Sequence, residues 1–195
     1  MGQLIAGPFC GQLLGDMGAE VIKLESPGVG DPMRHWGQGE TPTWWRVIAR
    51  NKYSVAVDLR SPEGQRPVAS LIVDSGILLT NAAGRQWHSY ETLSAQRPDL
   101  IHLEVVGRAD GSTGVDYTVN AATGFPLVTG PAEHRGPINH VLPAWDVSCG
   151  LYAALAVLTA LRRRDTTGQG SAIRLPLDDV ALATAANLGF LTEVM

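Results

Sequence analysis

The chain has 195 residues, 45% of them apolar and 17% charged, and 15 Lys and Arg against 19 Asp and Glu leave a formal charge of −4. That balance disfavours disorder, which needs low hydrophobicity and high net charge, and a nucleic-acid partner, whose phosphates require clustered Lys and Arg. No uncharged stretch reaches the ~20 residues of a membrane span, so no membrane partner is expected either. The length suits one large domain or two small ones. Cys10 and Cys149 form no CxxC pair and have no His at zinc-ligand spacing, which leaves metal and disulfide readings poor. No basic leader and long apolar run follow Met1, so a cytoplasmic location is the expectation.

In chain order, Gly7 to Met17 reads as a helix, with Pro8 in its first turn, Phe9, Leu13 and Leu14 at helical spacing, and Gly18 as the stop. Ala19 to Glu25 reads as a strand, and the Gly- and Pro-rich segment from Ser26 to Pro42 as a long loop. Trp36, Trp44 and Trp45 cluster in and just after that loop. Ser54 to Leu59 alternates as a strand, and Pro62 to Val73 reads as a helix with Ser61 as N-cap and Glu63 complementing its dipole. Gly76 to Thr80 is a short buried strand ending at Asn81, followed by a helix near Tyr90 to Gln96 and a strand from Leu100 to Val106. The clearest helix runs from Pro143 to Arg164, with Leu151, Leu155, Leu158 and Leu161 at helical spacing, three arginines at its negative end, and Gly168 and Gly170 as terminators. Ser171 to Leu175 reads as a last strand and Leu177 to Met195 as a helix cut off by the chain end. Strands alternating with helices place the chain in the α/β class, with a parallel sheet.

The usual phosphate-binding signatures of that class are missing. Gly28 and Gly30 follow a strand, but a dinucleotide fingerprint needs a third Gly where Met33 stands and a helix where Pro32 intervenes. Neither GxxxxGK[ST] nor GxSxG occurs, so a P-loop and a hydrolase nucleophile elbow are both unsupported.

Four blocks taken together are more specific: AGPFCGQLLGDMGAEVIKLESPGVGDPMRHWG, NKYSVAVDLRSPEGQ, LLTNAAG and PAWDVSCGLYAALAVLTALRRRDTTGQG. In this order and spacing the chain resembles the class III (CaiB/BaiF-type) CoA-transferase family. VDYTVNAATGFPLVTGP and INHVLPAWDV resemble most the branch that moves CoA between the two carboxyl groups of one dicarboxylic acid. The resemblance implies a Rossmann-like parallel sheet with flanking helices, the large domain of such an enzyme. Residues 1–195 would be its N-terminal portion, apparently truncated, without the first strand and the C-terminal half. It also implies an interlocked homodimer, an acyl-CoA thioester and a dicarboxylic acid as partners, no prosthetic group, and coenzyme A present only as part of the substrate. On that basis the isolated chain is expected to be poorly soluble or inactive.

Residue by residue, the resemblance makes Asp146 the nucleophile that attacks the thioester to give an acyl-aspartyl anhydride. Position alone makes it a dipole-complementing Asp in a first turn, where exposed N–H groups could also stabilise an anion. Asn81 matches a strand-end Asn beside the CoA chain, Lys52 a position near the CoA phosphates, and Gly7 and Pro8 a helix start approached by the nucleotide. Without the resemblance, Asn81 reads as a strand cap and Lys52 as an exposed lysine. Arg34 is a candidate phosphate or carboxylate partner, whereas Ser26 stands where many members carry a basic residue. His140, six residues before Asp146, could orient a substrate carboxylate, although a His in that place more commonly caps a turn or lines a core. Racemases of the same fold use a His in a GHD block; here the block is GVDY, and Val115 cannot act as a base.

Overall fold

The structure is a computed structural model describing residues 1–38, 42–82 and 84–190. Helix α1 (Ala6–Asp16) leads into strand β1 (Ile22–Glu25), and a 3-10 turn (Pro32–His35) and α2 (Thr43–Ile48) lie between β1 and β2 (Tyr53–Ala56). Helix α3 (Pro62–Ser75) opens on Ser61, whose side chain accepts from the Gly64 N–H, and ends on Gly76 at φ 68°, a left-handed position that favours glycine. Strand β3 (Ile77–Thr80), α4 (Tyr90–Ser94) and β4 (Ile101–Val106) follow, then α5 (Asp116–Thr123) and α6 (Phe125–Val128). The long α7 (Ala144–Thr167), β5 (Ser171–Pro176) and α8 (Leu177–Asn187) complete the described chain.

All strand pairs are parallel, as the alternation with helices requires. They form two sheets, β1-β2 and β3-β4-β5. One face of the larger sheet, built from Ile77, Leu79, Leu103, Val105, Ile173 and Leu175, packs on α1, α7 and α8. Leu78 and Leu100 join α3 and α4 in a second core that also takes Leu24 of β1. Met33, Trp45, Ile48 and Ile5 form a third, smaller cluster that pins the long loop to the start of α1.

Several expectations change. Strand β2 is four residues rather than six, and all four are exposed, so its alternation does not mark a half-buried strand. Helix α2 follows directly on the loop that ends at Pro42, and α5 and α6 form in a stretch where no element was expected. Helix α8 stops at Asn187 instead of running to the chain end; residues 191–195 lie outside the described residues. The buried face of α7 is its small-residue side, Cys149, Gly150, Ala153, Ala154, Val157 and Ala160. Leu151, Leu155 and Leu158 are 51%, 61% and 43% exposed. By length and composition α7 could cross a membrane, contrary to the reading of the uncharged stretches. It packs against α1, α8 and β4, however, as a core helix does.

Candidate active site

The head of α7 is held by a residue from a different element. Asp116, the first residue of α5, is 3% exposed, and its Oδ2 accepts from the backbone N–H groups of Trp145 (2.8 Å) and Asp146 (3.1 Å). Its Oδ1 pairs with His140 Nε2 at 2.9 Å. A carboxylate on these orphan donors does the work of an N-cap from outside the helix, since Pro143 at the N-cap position offers no side-chain acceptor. The other two first-turn donors are also engaged, Ala144 N–H with Leu142 O and Val147 N–H with Pro143 O. The free N–H groups expected to stabilise an anion are therefore all taken up within the fold.

Trp145 anchors the same turn from the side. Its indole Nε1 donates to Asn120 Oδ1 at 3.1 Å, Asn120 Nδ2 donates to Asn139 Oδ1 at 2.5 Å, and its ring stacks on Phe125 with centroids 5.7 Å apart. Asp146 is thus fixed by its backbone while its carboxylate accepts no hydrogen bond among the described residues. Burial first, and then the nearby Asp116 charge, push its pKa from 3.8 up to about 6. A carboxylate with no competing donor and raised proton affinity is suited to act as a nucleophile.

One turn further along, α1 crosses α7 at closest range. A Cβ on Gly150 would stand 2.7 Å from Phe9 Cδ1 and 3.0 Å from Ala6 O, so glycine permits the contact. This crossing sets the start of α1, with Gly7 and Pro8, beside the helix that carries Asp146.

The remaining sequence-derived candidates lie elsewhere. Gly7, Pro8 and Lys52 share a cleft of about 580 Å³ between β1 and β3, which neither Asp146 nor His140 lines. The Lys52 ammonium donates to Ile48 O at the end of α2, and burial first, then Lys23 and Arg50, lower its pKa to about 8. Asn81 pairs reciprocally with the Gln3 backbone, donating to its carbonyl at 3.1 Å and accepting from its N–H at 3.3 Å. Arg34 makes a two-pronged contact with Glu25 at 2.8 and 2.9 Å and lies over the Trp45 ring at 4.0 Å. The structure brings His140 and Asp146 together around Asp116, and Gly7, Pro8 and Lys52 around the cleft. Asp116 and Asn120 were missed as site residues. Their signal was an acid and an amide four apart, on one helical face, immediately after GV.

The model of CoA-transferase family III matches residues 1–191. The chain belongs to that family. It is 40% identical to the 2-methylfumaryl-CoA isomerase of Chloroflexus aurantiacus, an alignment covering 98% of this chain and 48% of that protein. It is also 40% identical to the succinyl-CoA–D-citramalate CoA-transferase of the same organism, over 94% of this chain and 48% of the relative. A CaiB/BaiF family crystal structure from Brucella suis superposes with a TM-score of 0.88 at 28% identity, covering all of this chain and 56% of that one. The chain therefore spans about half the length of the relatives it matches.

Proposed function

We propose that this chain carries the nucleophile of a CoA transfer that proceeds through an acyl-aspartyl anhydride at Asp146, and that the reaction isomerises 2-methylfumaryl-CoA to 3-methylfumaryl-CoA. The observation that carries the reading is the partly buried Asp146 carboxylate, unpartnered among the described residues, with its pKa raised to about 6 and its backbone held at the head of α7. At pH 7 about 90% of such a group is ionised, yet it is a stronger nucleophile than an ordinary aspartate.

The carboxylate adds to the C1 thioester carbonyl, the C–S bond breaks, and CoA leaves as thiolate. Attack by the thiolate on the aspartyl carbonyl of the anhydride gives aspartyl-CoA and the free diacid. The C4 carboxylate of the same diacid then attacks aspartyl-CoA, expelling thiolate and forming the C4 anhydride. Thiolate attack at C4 gives the isomeric thioester and restores Asp146. No proton is gained or lost over the cycle. His140, with Nε2 on Asp116, has its other ring nitrogen left for the idle substrate carboxylate. CoA would approach over the carboxyl ends of the strands, near Asn81 and the Gly7–Pro8 turn. Lys52 and Arg34 would have to exchange their internal partners to reach its phosphates.

Incubation with 2-methylfumaryl-CoA, followed by chromatography, tests this. The 3-methylfumaryl isomer is expected from the full-length wild-type protein and not from its Asp146→Ala variant; no product from the full-length protein, or equal product from both, refutes the assignment. A second reading, transfer between two different acids, is favoured by the 40% identity to the D-citramalate transferase. Added labelled free acid distinguishes them, because only intermolecular transfer puts label into the thioester pool. A third outcome, CoA binding without turnover, would make the chain a non-catalytic CoA-binding fragment.

A further inference from the structure

Arg108 is the second residue beyond β4, and its guanidinium donates to no group among the described residues. Nε is shut away from solvent without an acceptor, whereas the terminal nitrogens of this partly buried side chain stay open. A charged donor enclosed without an acceptor is costly, and most such groups in folded proteins are paired. The nearby acids are committed elsewhere: Asp110 Oδ1 accepts from the Ser112 N–H at 2.8 Å, and Asp178 Oδ1 from the Ala109 N–H at 3.1 Å. Other candidate cations differ, since Lys52 donates to Ile48 O and Arg34 to Glu25.

Its position is fixed from two sides. A Cβ on Gly114 would stand 2.9 Å from Gly107 O and 3.2 Å from Arg108 Cγ, so the loop after β4 doubles back and holds the Arg108 stem against Gly114, two residues before Asp116. Arg174 Nη1 donates to Ala109 O at 3.1 Å and the Asp178 N–H to Gly107 O at 3.3 Å, which tie the loop to β5 and α8. Strands β4 and β5 are parallel, so α7, which leads back to β5, starts at the end of the sheet where β4 stops. Arg108 therefore stands at the same end as Asp146, beside the segment whose Asp116 holds the head of α7.

We infer that Arg108 is a specificity-determining residue, which takes the free carboxylate of a dicarboxylic acid whose other carboxyl is carried as the CoA thioester. The inference rests on the function proposed above and names the group that reads its substrate class. A carboxylate sets two oxygens along one edge of a guanidinium, and such an acceptor answers Nε and a terminal nitrogen together. Because the guanidinium has no internal bond to break, its terminal torsions are free to turn that edge outward. His140 can give the same carboxylate one hydrogen bond; Arg108 adds the fork and a permanent charge. In both thioester isomers one carboxylate is idle, so a single guanidinium serves both directions of the isomerisation. The fork also matches phosphate. Gly7 and Pro8, the candidates on the nucleotide side, line the cleft between β1 and β3, however, whereas the Arg108 loop is tied to β5 and α8.

The test measures binding by titration calorimetry to the full-length protein carrying Asp146→Ala, which prevents turnover. 2-Methylfumaryl-CoA is compared with tigloyl-CoA, in which a methyl group stands in place of the free carboxylate. With Arg108 present, the first is expected to bind at least about tenfold more tightly. Adding Arg108→Gln should remove most of that preference by weakening the first thioester alone, and Arg108→Lys, which keeps the charge without the fork, should restore part of it. Equal affinities while Arg108 is intact, or no binding of either thioester, overturn the inference, and this arm needs no variant at Arg108 to fold. A preference that survives Arg108→Gln overturns it as well. Equal weakening of both thioesters and of free CoA would assign Arg108 to a CoA phosphate, and overturns it too. The proposed reaction is read separately, by chromatography of the full-length wild type. Isomerisation with a preference untouched by Arg108→Gln sinks this inference alone; a preference lost in Arg108→Gln without isomerisation by the wild type sinks the proposed reaction and leaves the carboxylate site standing.

Discussion

Replacing Asp146 by Asn removes a carboxyl that the fold holds against its own preference for the neutral form. The pKa rises from 3.8 to about 6 on folding. At about 1.4 kcal/mol per unit this corresponds to ~3 kcal/mol, reduced to ~2 kcal/mol by the group's partial exposure. Between these two values the folded chain keeps a proton that the unfolded chain has released, so stability falls as pH rises from about 4 to about 6 and is level beyond. Asn carries no charge at any of these pH values. Asp146→Asn is therefore expected to be more stable than wild type by ~2 kcal/mol at pH 7.5, with the difference closing to zero near pH 3.5. Urea unfolding of both proteins at pH 3.5, 5, 6 and 7.5 measures it. A variant less stable than wild type at pH 7.5, or a difference that does not change with pH, would refute the reasoning that burial and Asp116 load this carboxylate.

Asp116→Ala leaves the N–H groups of Trp145 and Asp146 and the His140 Nε2 without their acceptor, and a loss of ~2–3 kcal/mol is expected in thermal unfolding. By removing the like charge it should also move the Asp146 titration, followed by carboxyl NMR, toward lower pH. Gly150→Ala should gain ~1 kcal/mol of helix propensity but lose more, ~1–3 kcal/mol, to the clash with Phe9 and Ala6, so a lowered melting temperature is expected. For Glu25, burial alone would raise the pKa, but hydrogen bonds from Arg34, Ser54 and the Asp31 N–H outweigh it and bring the value to about 2. The stability this supplies is present above about pH 4.5 and lost as pH falls toward 2, and Glu25→Gln should abolish that part of the acid dependence in circular-dichroism titrations.

The elements with strong local chemistry were legible in the sequence. Ser61 capping before Pro62 and Gly168 at the end of α7 act as local signals say they should, whereas Gly76, read as the first residue of a strand, instead caps α3. Leu100–Val106, a short apolar run between breakers, is a buried strand, with Ile101, Leu103 and Val105 all in the core. What escaped depends on contacts distant in sequence. Helix α2 has no capping side chain and α5 only Thr118 Oγ1 accepting from the Val115 N–H, and Trp45 is held by packing on Met33 and Ile48. Which side of α7 faces inward could not be read from leucine spacing, because α1 and β4 approach closely enough to need small residues. Asp146 was legible as a position in a matched block, but its carboxylate's freedom depends on Asp116, thirty residues earlier, taking the helix-end donors.

The division of α7 into a small-residue face and a leucine face also separates two kinds of mutational tolerance. Ala153, Ala154 and Val157 fix how far α7 stands from its neighbours. Enlarging any of them would translate the whole helix and carry Asp146 away from Asp116 and His140. Leu151, Leu155 and Leu158 point away from those contacts, so their size and shape can drift without moving the nucleophile. The register of the chemistry is thus set by the least conspicuous side chains on the helix, and the most conspicuous ones are free to answer to other demands.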